Sequence, residues 1–240
     1  MLLRVLFVSI SLLISVFVSG QTVLRNTSIL NYQRGDRTRI HFGFSLGTNV
    51  MDYRAVLTGA NDLRIESGRL NVGFLVGIIT ELKITEDLGL RLMPGLEFST
   101  RRMVYTNAPD APEGKAEALN DHVYITVPLM FKYKAKRINN YRPFITAGPS
   151  IKYDFQNHNR INPDRSIYFM TKPMDYFLEM GIGSDFYLPY FKLGVELRFS
   201  LGLTDVLKHE YDPENPGYEA YTDAIKKLKA RMFTICFHFE

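Results

Sequence analysis

Tyr190–Gly202 reads YFKLGVELRFSLG. Along it Phe191, Leu193, Val195, Leu197, Phe199 and Leu201 alternate with Tyr190, Lys192, Gly194, Glu196, Arg198, Ser200 and Gly202. Successive side chains of a β-strand point to opposite faces. The segment therefore has one wholly apolar face and one face of charges and glycines. A soluble protein buries such an apolar face in its core. A membrane barrel turns it to lipid and keeps the polar face in the lumen. The choice between these arrangements sets the fold class.

Seven further segments carry the same alternation. Ile40–Val50 sets Ile40, Phe42, Phe44 and Leu46 against His41, Gly43, Ser45 and Gly47. Leu70–Glu81 follows, with Leu70, Val72, Phe74, Val76 and Ile78 on one side. Leu88–Arg101 opposes Leu88, Leu90, Leu92, Leu96 and Phe98 to Gly89, Arg91, Met93, Gly95, Glu97 and Ser99. Pro94 falls inside it and cannot donate to a ladder, so a bulge is expected there. His122–Lys134 is the fourth strand, interrupted by Pro128. Tyr141–Tyr153 is the fifth and alternates most weakly; Met174–Tyr187 is the sixth, ahead of the opening segment. Arg231–Glu240 closes the chain, with Phe233, Ile235, Phe237 and Phe239 opposite Met232, Thr234, Cys236 and His238.

The connections alternate long and short. Long polar stretches cover residues 51–69, 102–121, 154–173 and 204–230, and short turns lie around 85–87, 135–140 and 188–189. Within the last long stretch, Tyr221, Ala224, Ile225 and Leu228 have helical spacing. The acidic Glu219 and Asp223 precede Lys226, Lys227 and Lys229, which suits a helix dipole, so a helix is expected between Tyr218 and Ala230. An antiparallel meander with turns at one rim and loops at the other has this connection pattern. Outer-membrane barrels have even strand numbers, short periplasmic turns and longer extracellular loops. The reading is an all-β, eight-stranded, antiparallel up-and-down transmembrane β-barrel over residues 39–240.

The polar faces point the same way. They carry Arg91, Glu97, Lys132, Glu179, Asp185, Lys192, Glu196 and Arg198. A soluble core does not hold such a set, because unpaired buried charge is prohibitively costly. In an eight-stranded barrel the side chains just fill the lumen. Arg91, Glu97, Glu179, Lys192, Glu196 and Arg198 are read as candidates for lumen ion pairs, with glycines making room for them. Aromatic residues gather near the strand ends as girdles: Tyr133, Tyr141, Phe186, Tyr187, Tyr190, Phe191, Phe237 and Phe239 at the turn side, and Tyr53, Tyr105, Tyr153 and Tyr176 at the loop side. The competing architecture, a soluble lipocalin-like barrel, would line a ligand cavity with the apolar set. Unbroken apolar faces on strand after strand favour lipid.

The N-terminus agrees with export. Met1–Gly20 places one charge, Arg4, before the apolar run Val5–Val18, and small residues Ser19 and Gly20 follow. That is the layout of a secretory signal peptide. Residues 21–38 read as a polar periplasmic leader. The single cysteine, Cys236, offers an exported chain no internal disulfide. The formal charge of +4 is spread over 240 residues, so nucleic-acid binding is not expected.

Chemistry is sparse. His41, His122, His158, His209 and His238 show no metal-ligand spacing, and no nucleophile elbow, phosphate loop or dinucleotide fingerprint is present. No catalytic, cofactor or metal site is read. Glu97, Glu179 and Glu196 are better explained as ion-pair partners than as catalytic carboxylates. An enzyme acting through its loops would have only His122, His158, His209 and Ser166 to draw on. Eight strands leave too narrow a lumen for an aqueous pore.

Several segments also resemble a known family. HFGFSLGTNV, ITEDLGLRLMPGLEFSTRR, YITVPLMFKY, RPFITAGPSIKYD and DFYLPYFKLGVELRFSLGLTDVL, in this order, are similar to the PorT-like outer-membrane β-barrels of Bacteroidetes. The resemblance implies an outer-membrane location and a non-enzymatic part in protein secretion by the type IX system, linked in gliding species to motility. It implies outer-membrane lipid and other secretion-system proteins as partners, and supplies no catalytic residues. The turn KAKRINN and the 204–230 loop are the expected docking surfaces. Adhesion, or enzymatic action through the loops, is the alternative. Ending in Glu240 departs from the terminal aromatic residue of many outer-membrane barrels.

Overall fold

The computed structural model describes residues 31, 38–58, 64–67, 71–106, 115–156, 170–210 and 222–240. Its strands are β1 (Ile40–Leu57), β2 (Arg64–Ser67), β3 (Val72–Lys83), β4 (Leu88–Leu92), β5 (Gly95–Thr106), β6 (Lys115–Lys134), β7 (Tyr141–Asp154), β8 (Met174–Tyr187), β9 (Lys192–Gly202) and β10 (Ile225–Phe239). All pairings are antiparallel between successive staves, and β1 also pairs with β10, so the sheet closes on itself. β2 and β3 share one stave against β5, and β4 and β5 share the next against β6. The barrel thus has the eight staves that the alternation requires.

Pro94 divides the third stave without a bulge. Gly77 pairs with Gly95 and Thr80 with Leu92, a step of three residues on each side. Against β6, Gly95 pairs with Thr126 and Leu92 with Leu129, again with no residue inserted. Pro94 lacks an N–H, but its carbonyl still accepts from Ile78 N at 2.9 Å, so one missing bond does not shift the register. The expected bulge is therefore absent.

The ladders run further than the sequence suggested. β1 continues to Leu57, and β5 and β6 pair from Gly95↔Thr126 up to Thr106↔Lys115. The described part of the expected helix is mostly strand: Thr222 and Asp223 are helical, and β10 starts at Ile225. The physical reason is a bulge. Val56 pairs with Lys227 but Leu57 with Ile225, which leaves Lys226 as an extra residue. The inward residues Ile225 and Leu228 are then three apart, a spacing that mimics a helix.

Side chains sort by face with little exception. Outward residues are strongly exposed: Phe42 is 70%, Ile78 63% and Ile182 63% accessible. A water-soluble monomer does not expose a continuous apolar belt of this size. Tyr133, Tyr141, Phe186, Tyr190 and Phe191 are exposed at the short-turn rim, and Tyr153 and Tyr176 at the other. Two expected girdle residues face inward instead. Tyr53 and Tyr187 are buried, because odd positions of β1 and β8 point to the lumen. The side chain of Tyr105 lies outside the described residues. Even the weakly alternating β7 alternates cleanly in burial, with Phe144 directed inward and Pro143, Ala147 and Pro149 on the opposite face.

Candidate functional site: the barrel lumen and its rims

Three connected groups of charges fill the lumen. Nearest the short-turn rim, Glu81 and Arg91 are cross-strand partners. Arg91 Nη2 donates to Glu81 Oε2 at 2.6 Å and to Glu240 Oε1 at 2.5 Å. Lys134 Nζ lies 2.7 Å from Glu81 Oε1, and Lys192 Nζ 2.8 Å from Glu240 Oε2. Lys132 Nζ holds Asp185 Oδ2 at 2.7 Å and sits 3.9 Å from the centre of the Phe144 ring. That contact gives an aromatic residue a place in a charged lumen.

The middle group centres on Glu196. Its Oε1 accepts from Thr146 Oγ1 at 2.6 Å, and its Oε2 lies 3.1 Å from Arg198 Nη2 and 2.7 Å from His238 Nε2. Arg198 also approaches Glu179 at 3.6 Å. The third group joins Lys152 to Glu97 at 2.5 Å and to Glu179 at 3.6 Å. Asn49 Nδ2 donates to Glu97 Oε1 at 3.0 Å. The acids Glu81, Glu97, Glu179, Asp185, Glu196 and Glu240 match the bases Arg91, Lys132, Lys134, Lys152, Lys192 and Arg198 in number. The network is neutral as a whole, which makes so many charges tolerable out of water.

Glycines supply the space. A Cβ on Gly181 would stand 2.2 Å from Glu196 Oε1, one on Gly89 would stand 2.9 Å from Glu81 Oε1, and one on Gly183 would stand 2.6 Å from Cζ of Phe144. Of the candidate ion-pair residues, Glu196 and Glu179 meet Arg198, while Arg91 and Lys192 converge on Glu240. Glu97 takes Lys152 as its cation. Glu81 and Glu240 join the network in addition to these candidates. The alternation of Leu75, Gly77 and Ile79 reaches Glu81 in one more step, and that of His238 reaches Glu240.

Above these groups apolar side chains join buried His122, Asp154 and Asp175 in lining the lumen. Met51, Tyr124, Leu207, Leu228, Ala230 and Met232 are buried there. Among them runs a hydrogen-bonded chain: Asp154 Oδ2 lies 2.6 Å from His122 Nδ1, and His122 Nε2 lies 2.6 Å from Tyr53 Oη. The His122 ring stacks on Tyr124, with centroids 5.4 Å apart. A carboxylate–imidazole–hydroxyl order is shared with hydrolytic triads. Here Tyr53 is 6% and His122 2% accessible, so the chain is enclosed. His209 is exposed and lies 3.2 Å from Asp205, far from His122 in the chain; His158 and Ser166 lie outside the described residues. Among the described residues no group of three or more His, Cys, Asp or Glu is placed to hold a metal ion.

At the loop rim the segment 203–210 is stitched into the barrel. Lys172 N donates to Val206 O at 2.8 Å and Val206 N to Leu228 O at 2.9 Å. Asp205 Oδ1 accepts from Leu228 N at 2.9 Å and from Leu207 N at 3.2 Å. Partial burial pushes the Asp205 carboxyl up, but hydrogen bonds from Leu228 N, His209 and Leu207 N outweigh it and hold the group below its ordinary value. At the turn rim Arg137 lies over the Tyr187 ring at 3.7 Å. Its Nη2 donates to Asn31 O at 2.6 Å, and Asn31 N donates to Asn140 Oδ1 at 2.9 Å. Arg137 and Asn140 of the KAKRINN turn are thus engaged by Asn31.

The family model of the outer membrane protein beta-barrel domain matches residues 31–208. The chain belongs to this family of outer-membrane β-barrels. Among solved structures, this outer-membrane barrel is similar to Neisserial surface protein A, with 11% identity, 83% of this chain and 97% of that chain covered, and a TM-score of 0.42. OprG from Pseudomonas aeruginosa shares 13% identity over 83% of this chain and 91% of its own, with a TM-score of 0.47. The attachment invasion locus protein Ail of Yersinia pestis, solved with the heparin analogue sucrose octasulfate, shares 13% identity over 84% of this chain and 99% of its own, with a TM-score of 0.37. No curated protein matches the chain. The barrel sits in the outer membrane, so its short turns are periplasmic and its long loops extracellular.

Proposed function

We propose that this barrel is a non-enzymatic component of a protein secretion machinery of the type IX kind, close to PorT itself, and in gliding species serves motility through the same apparatus. The observation that carries the reading is the filled lumen. Arg91, Lys132, Lys152 and Phe177 are buried in it. A barrel with no conduit acts through its rims, where it holds partner proteins. The similarity of five ordered segments to PorT-like barrels supplies the machinery. On the periplasmic side Ala135, Lys136 and Ile138 remain exposed for a partner. Deleting the gene and measuring cargo in the medium tests this: cargo should accumulate in the periplasm. Crosslinks from Lys136 should capture other secretion proteins. Normal export in the deletion strain would sink the proposal.

A second reading, a surface adhesin, is favoured by the β5–β6 and β1–β10 ladders, which rise above the lipid-facing belt. Reduced attachment of deletion cells with unchanged secretion would select it.

A further inference from the structure

The outward face of β10 changes character within two residues. Phe233, Ile235, Phe237 and Phe239 face lipid, and Arg231, Lys229 and Lys227 continue the same face above them. On β1 the switch falls at the same level: Val50 pairs with Phe233, and Asp52 with Arg231. The extracellular boundary of the hydrocarbon region therefore runs between these two pairs. Beside it, Leu201 of β9 is opposite Arg231 and Leu203 is 54% exposed. The basic residues stand on the edge of the apolar belt, at the height of the outer-leaflet headgroups.

Two features make this more than a solvated ridge. The bulge inserts Lys226, so that Lys226 and Lys227 are both exposed in succession; regular alternation would have turned one of them inward. In addition, Arg54 is the direct cross-strand partner of Lys229. Like charges directly opposite one another destabilise a ladder. Asp52 is set against Arg231, but among the described residues no ion pair joins Arg54, Lys226, Lys227 or Lys229 to a carboxylate. An anion between Arg54 and Lys229 would relieve the repulsion.

We propose that Arg54, Lys226, Lys227 and Lys229 form a binding ridge for the phosphate groups of an outer-leaflet lipid, with its acyl chains on the Phe233, Val50 and Leu201 surface below. The apolar belt fixes the occupant as a lipid, and the uncompensated cations fix its headgroup as anionic. Lysine and arginine at a membrane surface attract such headgroups with an energy that adds per residue and is screened by salt.

The test uses the full mature chain in phosphatidylcholine vesicles containing bisphosphorylated or dephosphorylated lipid A. Retained lipid A is measured after detergent extraction, and folding is checked by the heat-modifiable gel shift. The wild type should retain the bisphosphorylated form and lose it at high salt. Lys226→Gln/Lys227→Gln/Lys229→Gln should retain roughly tenfold less or lower still, while Lys136→Gln at the periplasmic rim should match the wild type. Lys229→Gln alone should raise thermal stability in lipid-A-free detergent and lower it when lipid A is present. Equal retention of dephosphorylated lipid A, equal retention by the triple variant, or displacement only by sulfated polysaccharide would each overturn the proposal. So would a Lys229→Gln variant that is less stable in both conditions.

Discussion

Glu240 reaches back into the lumen and places its Oε1 2.5 Å from Nη2 of Arg91, 149 positions earlier in the chain. Its Oε2 lies 2.8 Å from Lys192, and its backbone N–H and C=O both bond to Lys192. Glu240 thus joins Arg91 and Lys192 in the charge cluster at the periplasmic rim. Phe239 beneath it keeps the aromatic position, stacking on Phe44 at 4.8 Å.

Glu240→Gln should destabilise the barrel by about 3 kcal/mol, since it leaves Lys192 without its carboxylate in a water-poor lumen. Urea unfolding in detergent, followed by the gel shift, measures this. An unchanged midpoint would mean that Lys192 does not depend on Glu240.

Gly181→Ala should cost about 1–3 kcal/mol by driving a methyl into Glu196 and Thr146. Ala147→Gly on the adjacent β7, outward-facing, is the control. If both variants melt alike, the close approach at Gly181 carries no energetic weight.

His122→Leu should lower stability by about 1–3 kcal/mol, because buried Asp154 Oδ2 loses its imidazole donor. His122→Asn should restore part of it. In cells, secretion and attachment should follow the amount of folded barrel only. Loss of either at full barrel abundance would instead mark Tyr53, His122 and Asp154 as reactive.

Asp205 links pH to the extracellular rim. Its folded pKa lies below the ordinary value of 3.8, so its stabilising contribution is fully present above that value and is lost as pH falls through the lower folded value. Limited proteolysis of the 203–210 segment should stay slow from neutral pH down to the ordinary carboxylate value of 3.8 and quicken only as pH falls below it. Asp205→Asn should be cleaved faster at neutral pH and show little further change on acidification.

Much of this was legible from local patterns. Alternation located the staves, and the polarity of the second face oriented them. The choice of partners was not legible: nothing in the spacing of Glu97 selects Lys152 over Arg91, because the two cations lie on different staves. The 218–230 stretch misled for a definable reason. One bulged residue, Lys226, converts period two into a local period of three, and only the ladder to β1 distinguishes this from a helix. Position near a strand end suggests a girdle place for Tyr53 and Tyr187, whereas parity along the strand sends them inward.

The barrel is written into local sequence, because period-two hydrophobicity is a property of neighbouring residues and lipid rewards it stave by stave. Only the assembled barrel selects which charges neutralise one another, where apolar side chains join the lumen lining, and that Glu240 meets Arg91 and Lys192. Those depend on shear and closure, which bring residues 48 to 149 positions apart within 3.0 Å of each other.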